Sequence, residues 1–233
     1  MYEERIIPPK KAMPQAQDGT LRKFALRVPE VIYQCSGIIV FGKRIKSLVF
    51  STDLSIIKNV NADAIIAVYP FTPQPIITQA LLLAADIPVF AGVGGGLTKG
   101  QRVVNLAMFA EMQGATGVVV NAPTANTVVQ HVAETIDIPV VVTVARADTD
   151  FDARLQAGAN IFNVSAAAET PAIVRSIRER YPDVPIIATG GPTDESILET
   201  IQAGANAITW TPPTNGEIFR DIMAAYRDNK PHP

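Results

Sequence analysis

The sequence predicts an α/β protein, a single (β/α)8 TIM barrel with an N-terminal lead-in segment. Eight short apolar runs begin near residues 47, 64, 89, 117, 140, 161, 185 and 207, with amphipathic segments between them. The runs do not alternate apolar and polar residues, which is typical of parallel strands covered on both faces. Two motifs also alternate along the chain, and eight βα units with a two-unit period favour a closed barrel. An open doubly wound sheet is the alternative, because periodicity alone does not show closure.

The first motif is an acidic residue, a β-branched residue and proline, followed by an apolar run. Its copies read DIPVFAG, DIPVVVT and DVPIIAT, beginning at Asp86, Asp137 and Asp183. Proline suits the start of a strand, where its missing N–H costs least. The second motif reads QAGANIFNVS from Gln156 and QAGANAITWT from Gln202. Its glycines, Gly158 and Gly204, are predicted to end a helix in the left-handed conformation.

We predict one domain, because 233 residues with 48% apolar content can bury one large core. The predicted barrel spans residues 45–228, after a lead-in at 1–44 and before a tail at 229–233. In the lead-in, TLRKFALRVPEVIYQC predicts a short helix interrupted near Pro29, and GIIVFG predicts a short strand of the kind that plugs the bottom of a barrel. Pro231 and Pro233 keep the tail from being helical.

Composition indicates a cytoplasmic protein. Cys35 is the single cysteine, no apolar stretch reaches the roughly 18 residues of a membrane span, and the N-terminus lacks the apolar core of a signal peptide. A net charge of −2 argues against nucleic acid as a partner. Residues 1–46 are the exception, with nine Lys and Arg against four acids. We interpret them as a solvated segment in preference to a polyanion contact.

The functional site of such a barrel lies at the C-terminal ends of its strands, and the seventh of these loops reads TGGPTDES. Gly190 and Gly191 allow backbone N–H groups to approach a ligand, and the next helix starts at Thr193 with the positive end of its dipole nearby. This pattern predicts a site for phosphate or another small anion. A tight βα turn is the alternative reading of the glycine pair.

The eighth loop, TPPTNGE, completes the predicted anion site. Thr214 and Glu217 fit a capping box, while Asn215 and Gly216 supply two further N–H groups in the first helical turn. Thr211, at the start of this loop, is a further ligand-binding candidate. Loops seven and eight are where phosphate-binding barrels hold their phosphate.

The segment IIATGG, a helix and AGANAI together resemble the last two units of the phosphate-binding barrels, which include the 2-keto-3-deoxy-6-phosphogluconate aldolases and the N-acylmannosamine-6-phosphate epimerases. The resemblance covers about the last 50 residues of the chain. In those families a Gly/Ser-rich loop follows the eighth strand, whereas this chain has Pro212 and Pro213 there. The sixth run, IFNVSAAA, also lacks the lysine that a class I aldolase needs for its Schiff base, so we do not predict that reaction.

Three charged residues are catalytic candidates. Lys99 follows the glycine-rich stretch that contains Gly95 and Gly96, two ligand-binding candidates in a loop with the composition of a mobile lid. A capping box of Thr98 and Gln101 is the alternative, and it would make Lys99 a first-turn surface residue.

Arg146 follows the fifth run and could clamp an anion through two hydrogen bonds, or pair with Asp148 in solvent. Asp53, the third candidate, follows the first run. The dipeptide Thr-Asp that contains Asp53 recurs with Asp150 and with Asp194, which favours a helix start with Thr as the N-cap and Asp against the helix dipole.

Asn121 and Asn163 end the fourth and sixth runs, Ser165 matches Thr211 in the repeat, and Tyr69 follows the second run, so we expect these residues at the site. The alternatives are helix caps for the amides and a place on the rim for Tyr69. His131 falls within a helix and His232 in the tail, and with one cysteine the sequence predicts no metal site.

These features predict an enzyme that acts on a small phosphorylated or carboxylated metabolite, as an isomerase, epimerase, lyase or hydrolase. Loops seven and eight would hold the anion, and no cofactor is expected. The alternative function is a non-catalytic, ligand-sensing regulatory barrel. The expected partner is a small anionic metabolite, without membrane or nucleic acid, and a homo-oligomer is left open.

Overall fold

Eight parallel strands close into a barrel in this computed structural model, which describes residues 26–231 and the isolated positions 15 and 19. The strands are β1 (Ile38–Val40), β2 (Lys43–Ile45), β3 (Ser47–Phe50), β4 (Ala64–Ala67), β5 (Val89–Gly92), β6 (Gly117–Val120), β7 (Val140–Val144), β8 (Ile161–Val164), β9 (Ile186–Thr189) and β10 (Ala207–Trp210). Strands β3 to β10 form the barrel in chain order, and β10 pairs with β3 to close it. The predicted fold class is therefore confirmed, and the open sheet is excluded.

A helix follows each barrel strand. The α-helices are α1 (Leu54–Lys58), α2 (Pro75–Ala84), α3 (Gln101–Met112), α4 (Asn126–Thr135), α5 (Phe151–Gln156), α6 (Thr170–Arg180), α7 (Asp194–Gln202) and α8 (Asn215–Arg227). Two 3-10 helices, Glu30–Gln34 and Ala167–Glu169, complete the helical elements of the described residues. None of the helices within residues 26–231 has the length and apolar character needed to cross a membrane.

The proline motif marks the start of strands β5, β7 and β9. Its prolines, Pro88, Pro139 and Pro185, lie immediately before these strands. Each proline lacks an N–H, but its carbonyl accepts a hydrogen bond from the neighbouring strand, at 2.8 Å, 3.0 Å and 3.1 Å respectively. Proline thus begins the strand without removing a hydrogen bond from the barrel.

The glycines of the second motif end helices α5 and α7 as predicted. Gly158 has φ +99° and Gly204 has φ +114°. The N–H of Gly158 donates to the carbonyl of Leu155, and that of Gly204 donates to Ile201. The left-handed residue turns the chain directly into β8 and β10, which is why the apolar run follows at once.

An antiparallel hairpin of β1 and β2 fills the N-terminal end of the barrel. Val40 pairs with Lys43 around a two-residue turn in which Phe41 and Gly42 both have positive φ, 47° and 78°. Ile45, which the sequence predicts in the first barrel strand, lies in β2 instead, because it pairs with Ile38 of β1. The hairpin side chains Ile38, Val40 and Ile45 belong to the apolar cluster inside the barrel.

Most of the helix predicted ahead of Pro29 lies outside the described residues. Most basic residues of the lead-in, and His232, also lie outside them. After Pro29 the chain forms the 3-10 helix Glu30–Gln34.

The apolar cluster inside the barrel continues above the hairpin through Leu48, Phe90 and Ile187. Gly117 makes room for this layer, because a Cβ there would lie 2.7 Å from a ring carbon of Phe90.

The Cys35 thiol should be inert in the folded protein. It is buried, and burial raises its pKa to about 12 from an ordinary value of 9.0. The thiolate is the reactive form, so we expect roughly a thousandfold slower alkylation by iodoacetamide at pH 8 than for an unperturbed thiol. Mass spectrometry of the native protein and of the protein in guanidinium chloride measures this difference. Rapid labelling of the native protein would contradict the buried position of Cys35.

Candidate ligand site at the barrel mouth

A cavity of about 330 Å³ opens at the C-terminal ends of the barrel strands. Its lining comes from all eight strands or the loops after them: Phe50, Ile66, Val68, Tyr69, Pro73, Gly92, Gly95, Val119, Asn121, Thr143, Asn163, Ser165, Thr189, Thr209 and Thr211. The described part of the lining contains no charged side chain. We refer to this cavity as the mouth cavity.

The polar side chains inside the barrel wall form an arc over four consecutive strands. They are Thr143 of β7, Asn163 of β8, Thr189 of β9 and Thr209 of β10. Thr143 is in register with Asn163, and Thr189 with Thr209. The opposite wall is apolar, with Ile66, Val68 and Val119 among its residues. The mouth cavity is therefore polar on one side and apolar on the other, which suits a small ligand with one polar edge.

Thr209 has no partner for its hydroxyl group. The residue is 6% exposed, and its Oγ1 atom is buried without a hydrogen bond to any described residue. Thr189 instead donates to the carbonyl of Val164 at 3.1 Å, and the amide of Asn163 donates to the Thr143 hydroxyl at 3.4 Å. A buried hydroxyl without a partner costs about 1–3 kcal/mol. A ligand that bonds to Thr209 would recover that energy.

Several residues that the sequence singles out meet in this cavity. Tyr69, Asn121, Asn163, Thr211 and Gly95 all line it. The Tyr69 hydroxyl accepts from the N–H of Gln74 at 2.9 Å, which leaves its own proton available to donate. That these residues bind a ligand stays a prediction.

The glycine pair of the seventh loop lies outside the mouth lining. A Cβ on Gly190 would lie 2.7 Å from a side-chain carbon of Ile197 and 2.9 Å from one of Ile208, so helix α7 packs against the strand at this point. Gly191 has φ +81°, a conformation that favours glycine. Packing and turn geometry therefore account for both glycines without a ligand.

Both helices of the predicted anion site have side-chain caps. The Thr193 hydroxyl accepts from the N–H of Ser196, and the Ser196 hydroxyl accepts from the N–H of Thr193. Thr214 and Glu217 form the predicted capping box of α8. Helix α8 therefore begins with Asn215 and Gly216 beside a carboxylate. An anion held by loops seven and eight stays a prediction, and it would share those helix ends with the caps.

Asp53 is the N-cap of α1 and lies outside the mouth lining. Its carboxylate accepts from the N–H groups of Ser55 and Ile56 and from the Ser55 hydroxyl, and it also binds the amide of Asn215. These contacts join the first loop to the start of the last helix. The Ser55 hydroxyl is the largest cause of the lowered pKa of Asp53, and the two backbone N–H groups and Asn215 add to it.

The predicted Thr-Asp helix starts need a partial correction. Thr193 caps α7 and Asp194 lies in the first turn, as expected. In α1 and α5, however, Asp53 and Asp150 are themselves the N-caps. The physical reason is that each carboxylate reaches the free N–H groups two or three residues ahead, so that the helix starts one residue later.

Arg146 and Asp148 pair with each other in solvent. Two hydrogen bonds of 2.9 Å and 2.8 Å join them, and their side chains are 78% and 68% exposed. Asp148 has a lowered pKa because Arg146 donates to it. Neither side chain lines the mouth cavity, so the structure matches the solvent-pair alternative for these residues.

The predicted capping box of Thr98 and Gln101 is wrong. Gly100, with φ +56°, is the N-cap of α3, and Gln101 is the first helical residue. Thr98 lies two residues before the cap, too early to accept from the first turn. Lys99 does not line the mouth cavity but a second cavity beside it.

Gly95 and Gly96 allow two loops to pack closely. A Cβ on Gly95 would lie 2.8 Å from the carbonyl oxygens of Tyr69 and Phe71, and one on Gly96 would lie 2.6 Å from the N atom of Thr72. A side chain at either position would therefore separate the loops after β4 and β5. The lid function predicted for this loop stays a prediction.

The sequence did not single out Thr143, Thr189 and Thr209 as ligand-binding residues, although Thr189 is the first residue of the quoted loop TGGPTDES. Each of them is a single polar residue near the end of its run, in VVVTV, IIAT and AITW. Such an isolated hydroxyl in an apolar run was the available signal, since wall residues alternate between the barrel interior and the helices. His131 lies exposed within α4, and the described residues contain no group of three His, Cys, Asp or Glu that could hold a metal ion.

No model of a protein family matches the sequence, and no curated protein matches it. Solved structures do match its fold. One is 2,3-dimethylmalate lyase, a member of the PEP mutase/isocitrate lyase superfamily, with 13% identity and a TM-score of 0.61 over 91% of this chain and 88% of that chain. A second is phosphonopyruvate hydrolase in complex with oxalate and Mg²⁺, with 14% identity and a TM-score of 0.58 over 80% and 84% of the two chains.

A third is a dihydrodipicolinate synthase of Bacillus anthracis, with 17% identity and a TM-score of 0.55 over 82% of this chain and 77% of that chain. At these identities the likeness establishes the TIM-barrel fold alone. The finer resemblance to 2-keto-3-deoxy-6-phosphogluconate aldolases stays a prediction.

Asp53 should stabilise the fold through its charge as well as its cap. We expect Asp53→Ala to lower the free energy of unfolding at pH 7 by about 1 kcal/mol, and Asp53→Asn, which keeps a capping oxygen, to lower it less. The folded pKa lies below the ordinary value of 3.8, so the charge stabilises the protein above pH 3.8. Urea unfolding measures both variants.

The advantage of the parent over Asp53→Asn should disappear as the pH falls through the folded pKa. A difference that stays constant from pH 7 to pH 3 would show that the charge makes no contribution. Equal stability of Asp53→Ala and the parent at pH 7 would contradict the capping role itself.

Proposed function

We propose that this protein is an enzyme that acts on a small carboxylated or phosphorylated metabolite bound in the mouth cavity. The observation that carries the proposal is the unpartnered Thr209 hydroxyl in the polar arc of a cavity at the C-terminal ends of the strands. Active sites of TIM-barrel enzymes lie at this end of the barrel. The hydrolase complex with oxalate offers an analogy for a small carboxylate as ligand.

The polar arc supports a reaction in which negative charge develops on a substrate oxygen. Hydroxyl and amide donors from Tyr69, Asn163 and Thr209 approach the cavity from three strands or loops, and the surrounding wall is largely apolar. Fixed donors in such surroundings stabilise an oxyanion better than water does. This chemistry is common to isomerases, epimerases, lyases and hydrolases, the classes that the sequence predicts.

The three catalytic candidates take different places in the proposal. Lys99 lines the cavity beside the mouth, whereas Asp53 and Arg146 line neither cavity and would act only if the loops rearranged around a ligand. The anion of the substrate is predicted at Gly191 and Thr193 by the sequence. We keep that location as a hypothesis, and Gly191→Asp tests it.

A second candidate function is a non-catalytic, ligand-sensing barrel. The observation that favours it is the neutral lining of the mouth cavity among the described residues. A neutral lining can bind and orient a ligand but supplies few groups for proton transfer. Ligand binding without turnover would favour this function over the enzyme.

Thr209→Val separates the effect on the free protein from the effect on ligand binding. The variant removes a buried hydroxyl that has no partner, so we expect the melting temperature of the free protein to stay the same or to rise. The same change should weaken binding of a mouth ligand about tenfold, because one hydrogen bond is lost. Thermal-shift titrations with oxalate, pyruvate, phosphoenolpyruvate and sugar phosphates measure both quantities.

Thr200→Val is the matched control, because Thr200 is also buried but donates to the carbonyl of Ser196 in α7. It should lower the melting temperature and leave ligand binding unchanged. If no compound of the panel stabilises the parent, or if Thr209→Val binds as tightly as the parent, the mouth is not the binding site. Compounds that bind are then assayed for product formation by NMR.

A further inference from the structure

A second cavity, of about 300 Å³, lies beside the mouth, between the loop after β5 and the loop after β6. We propose that it binds the phosphate or carboxylate group of an anionic ligand. The residues that carry the proposal are Thr98, Lys99, Gly100, Asn121 and Ala125, all of which line it. We call it the α3–α4 pocket.

Two helices begin at this pocket. Gly100 is the N-cap of the 12-residue α3 and Ala125 is the N-cap of the 10-residue α4, and neither provides a side-chain cap. The N–H groups of Gln101, Arg102, Asn126 and Thr127 have no acceptor among residues 26–231. Two positive helix ends with unpaired donors thus converge on one cavity, an arrangement that favours an anion.

The pocket wall provides independent evidence for a ligand. Thr98 is 7% exposed, and its hydroxyl is buried with no partner among the described residues. Asn121 accepts from the Thr124 hydroxyl at 2.6 Å, so its Nδ2 group points elsewhere, and no bond to a described residue is recorded for it. Both groups can donate a hydrogen bond, which is what an anion requires.

The charge around the pocket has one sign. Lys99 lines it, and no ion pair or hydrogen bond to a described residue is recorded for the Lys99 ammonium group. No acidic residue is found in the described lining. Anion binding at loops seven and eight would instead place the charge beside Glu217, the capping residue of α8. Electrostatics therefore favours the α3–α4 pocket over that location.

Arg154 of α5 positions the wall of the pocket from behind. Its guanidinium donates to the carbonyls of Ala122 and Thr124 and to the side-chain oxygen of Asn126. The N-cap position of α4 is Ala125, which has no side-chain acceptor, and Asn126 is the first helical residue. Arg154 is a positioning residue that holds the loop in front of α4.

Asn121 connects this pocket to the mouth, because it lines both cavities. Gly94 permits the connection, since a Cβ there would lie 2.8 Å from the Asn121 Oδ1 atom. A ligand could place its anionic group in the α3–α4 pocket and its carbon skeleton in the mouth. Only this assignment to the substrate rests on the proposed function; the anion site itself does not.

The test uses the full-length protein and inorganic phosphate, with binding measured by isothermal titration calorimetry. We expect phosphate to bind the parent, and Lys99→Gln and Thr98→Val each to weaken this binding by about tenfold, because the first removes the positive charge and the second removes a hydrogen-bond donor. Arg175→Gln is the matched control for charge, because Arg175 is exposed on α6, far along the chain from this pocket. It should bind phosphate like the parent.

The outcomes distinguish the two anion sites. Loss of phosphate binding in Gly191→Asp, with Lys99→Gln unchanged, would overturn the inference and favour loops seven and eight. No binding to the parent at millimolar phosphate would overturn it as well. Melting temperatures of the free variants report on folding, and Thr98→Val should not lower its own, since the hydroxyl it removes has no partner.

The proposed function and the inferred anion site can fail independently of each other. If Lys99→Gln weakens phosphate binding and Thr209→Val leaves every organic ligand unaffected, the pocket binds an anion but the mouth does not hold the substrate. If organic ligands depend on Thr209 and phosphate does not depend on Lys99, the mouth site stands and this inference is overturned.

Discussion

Closure of the barrel is the constraint on which the rest of the structure depends. Pairing of β10 with β3 leaves no free edge in the barrel, so each of the strands β3 to β10 is bonded on both sides. Wall residues must then be apolar wherever they face the helices or the filled interior, and the hairpin with Ile38 and Ile45 occupies the lower end. Polar groups are left to the upper end of the strands. The location of the site is a consequence of closure.

Two kinds of polar group remain available at that end. Side chains such as Thr189 and Asn163 form hydrogen bonds within the wall, whereas the buried Thr209 hydroxyl has no partner among the described residues. The backbone N–H groups at the helix ends divide in the same way. Where a side chain such as Asp53 or Thr214 caps the helix, part of the donors is used internally. Where Gly100 or Ala125 is the N-cap, no side chain of the cap residue bonds to the first N–H groups of the helix.

The glycines of the loops do not all have the ligand-binding role that the sequence pattern suggests. Two adjacent glycines in front of a helix indicate a phosphate loop, yet Gly190 is required by its contact with Ile197 and Ile208. The glycines at 94–96 bring three loops together, and this close packing forms the boundary between the mouth cavity and the α3–α4 pocket. In both loops the glycines are therefore required by close packing within the protein.

The sequence by itself determined the fold. Apart from Ile45, which was predicted in the first barrel strand, the predicted strand starts lie within one residue of those observed. The reason is that the apolar runs and the residues that bound them, such as Pro139 and Gly204, are local features of the sequence. The sequence also singled out Asn163, which ends its run, and Tyr69, which follows its run, and both residues line the mouth cavity. Only the tertiary structure decided which donors are satisfied: that Thr209 lacks a partner, and that Thr98 does not cap α3. Hydrogen-bond partners come from distant parts of the chain, so no local pattern records them.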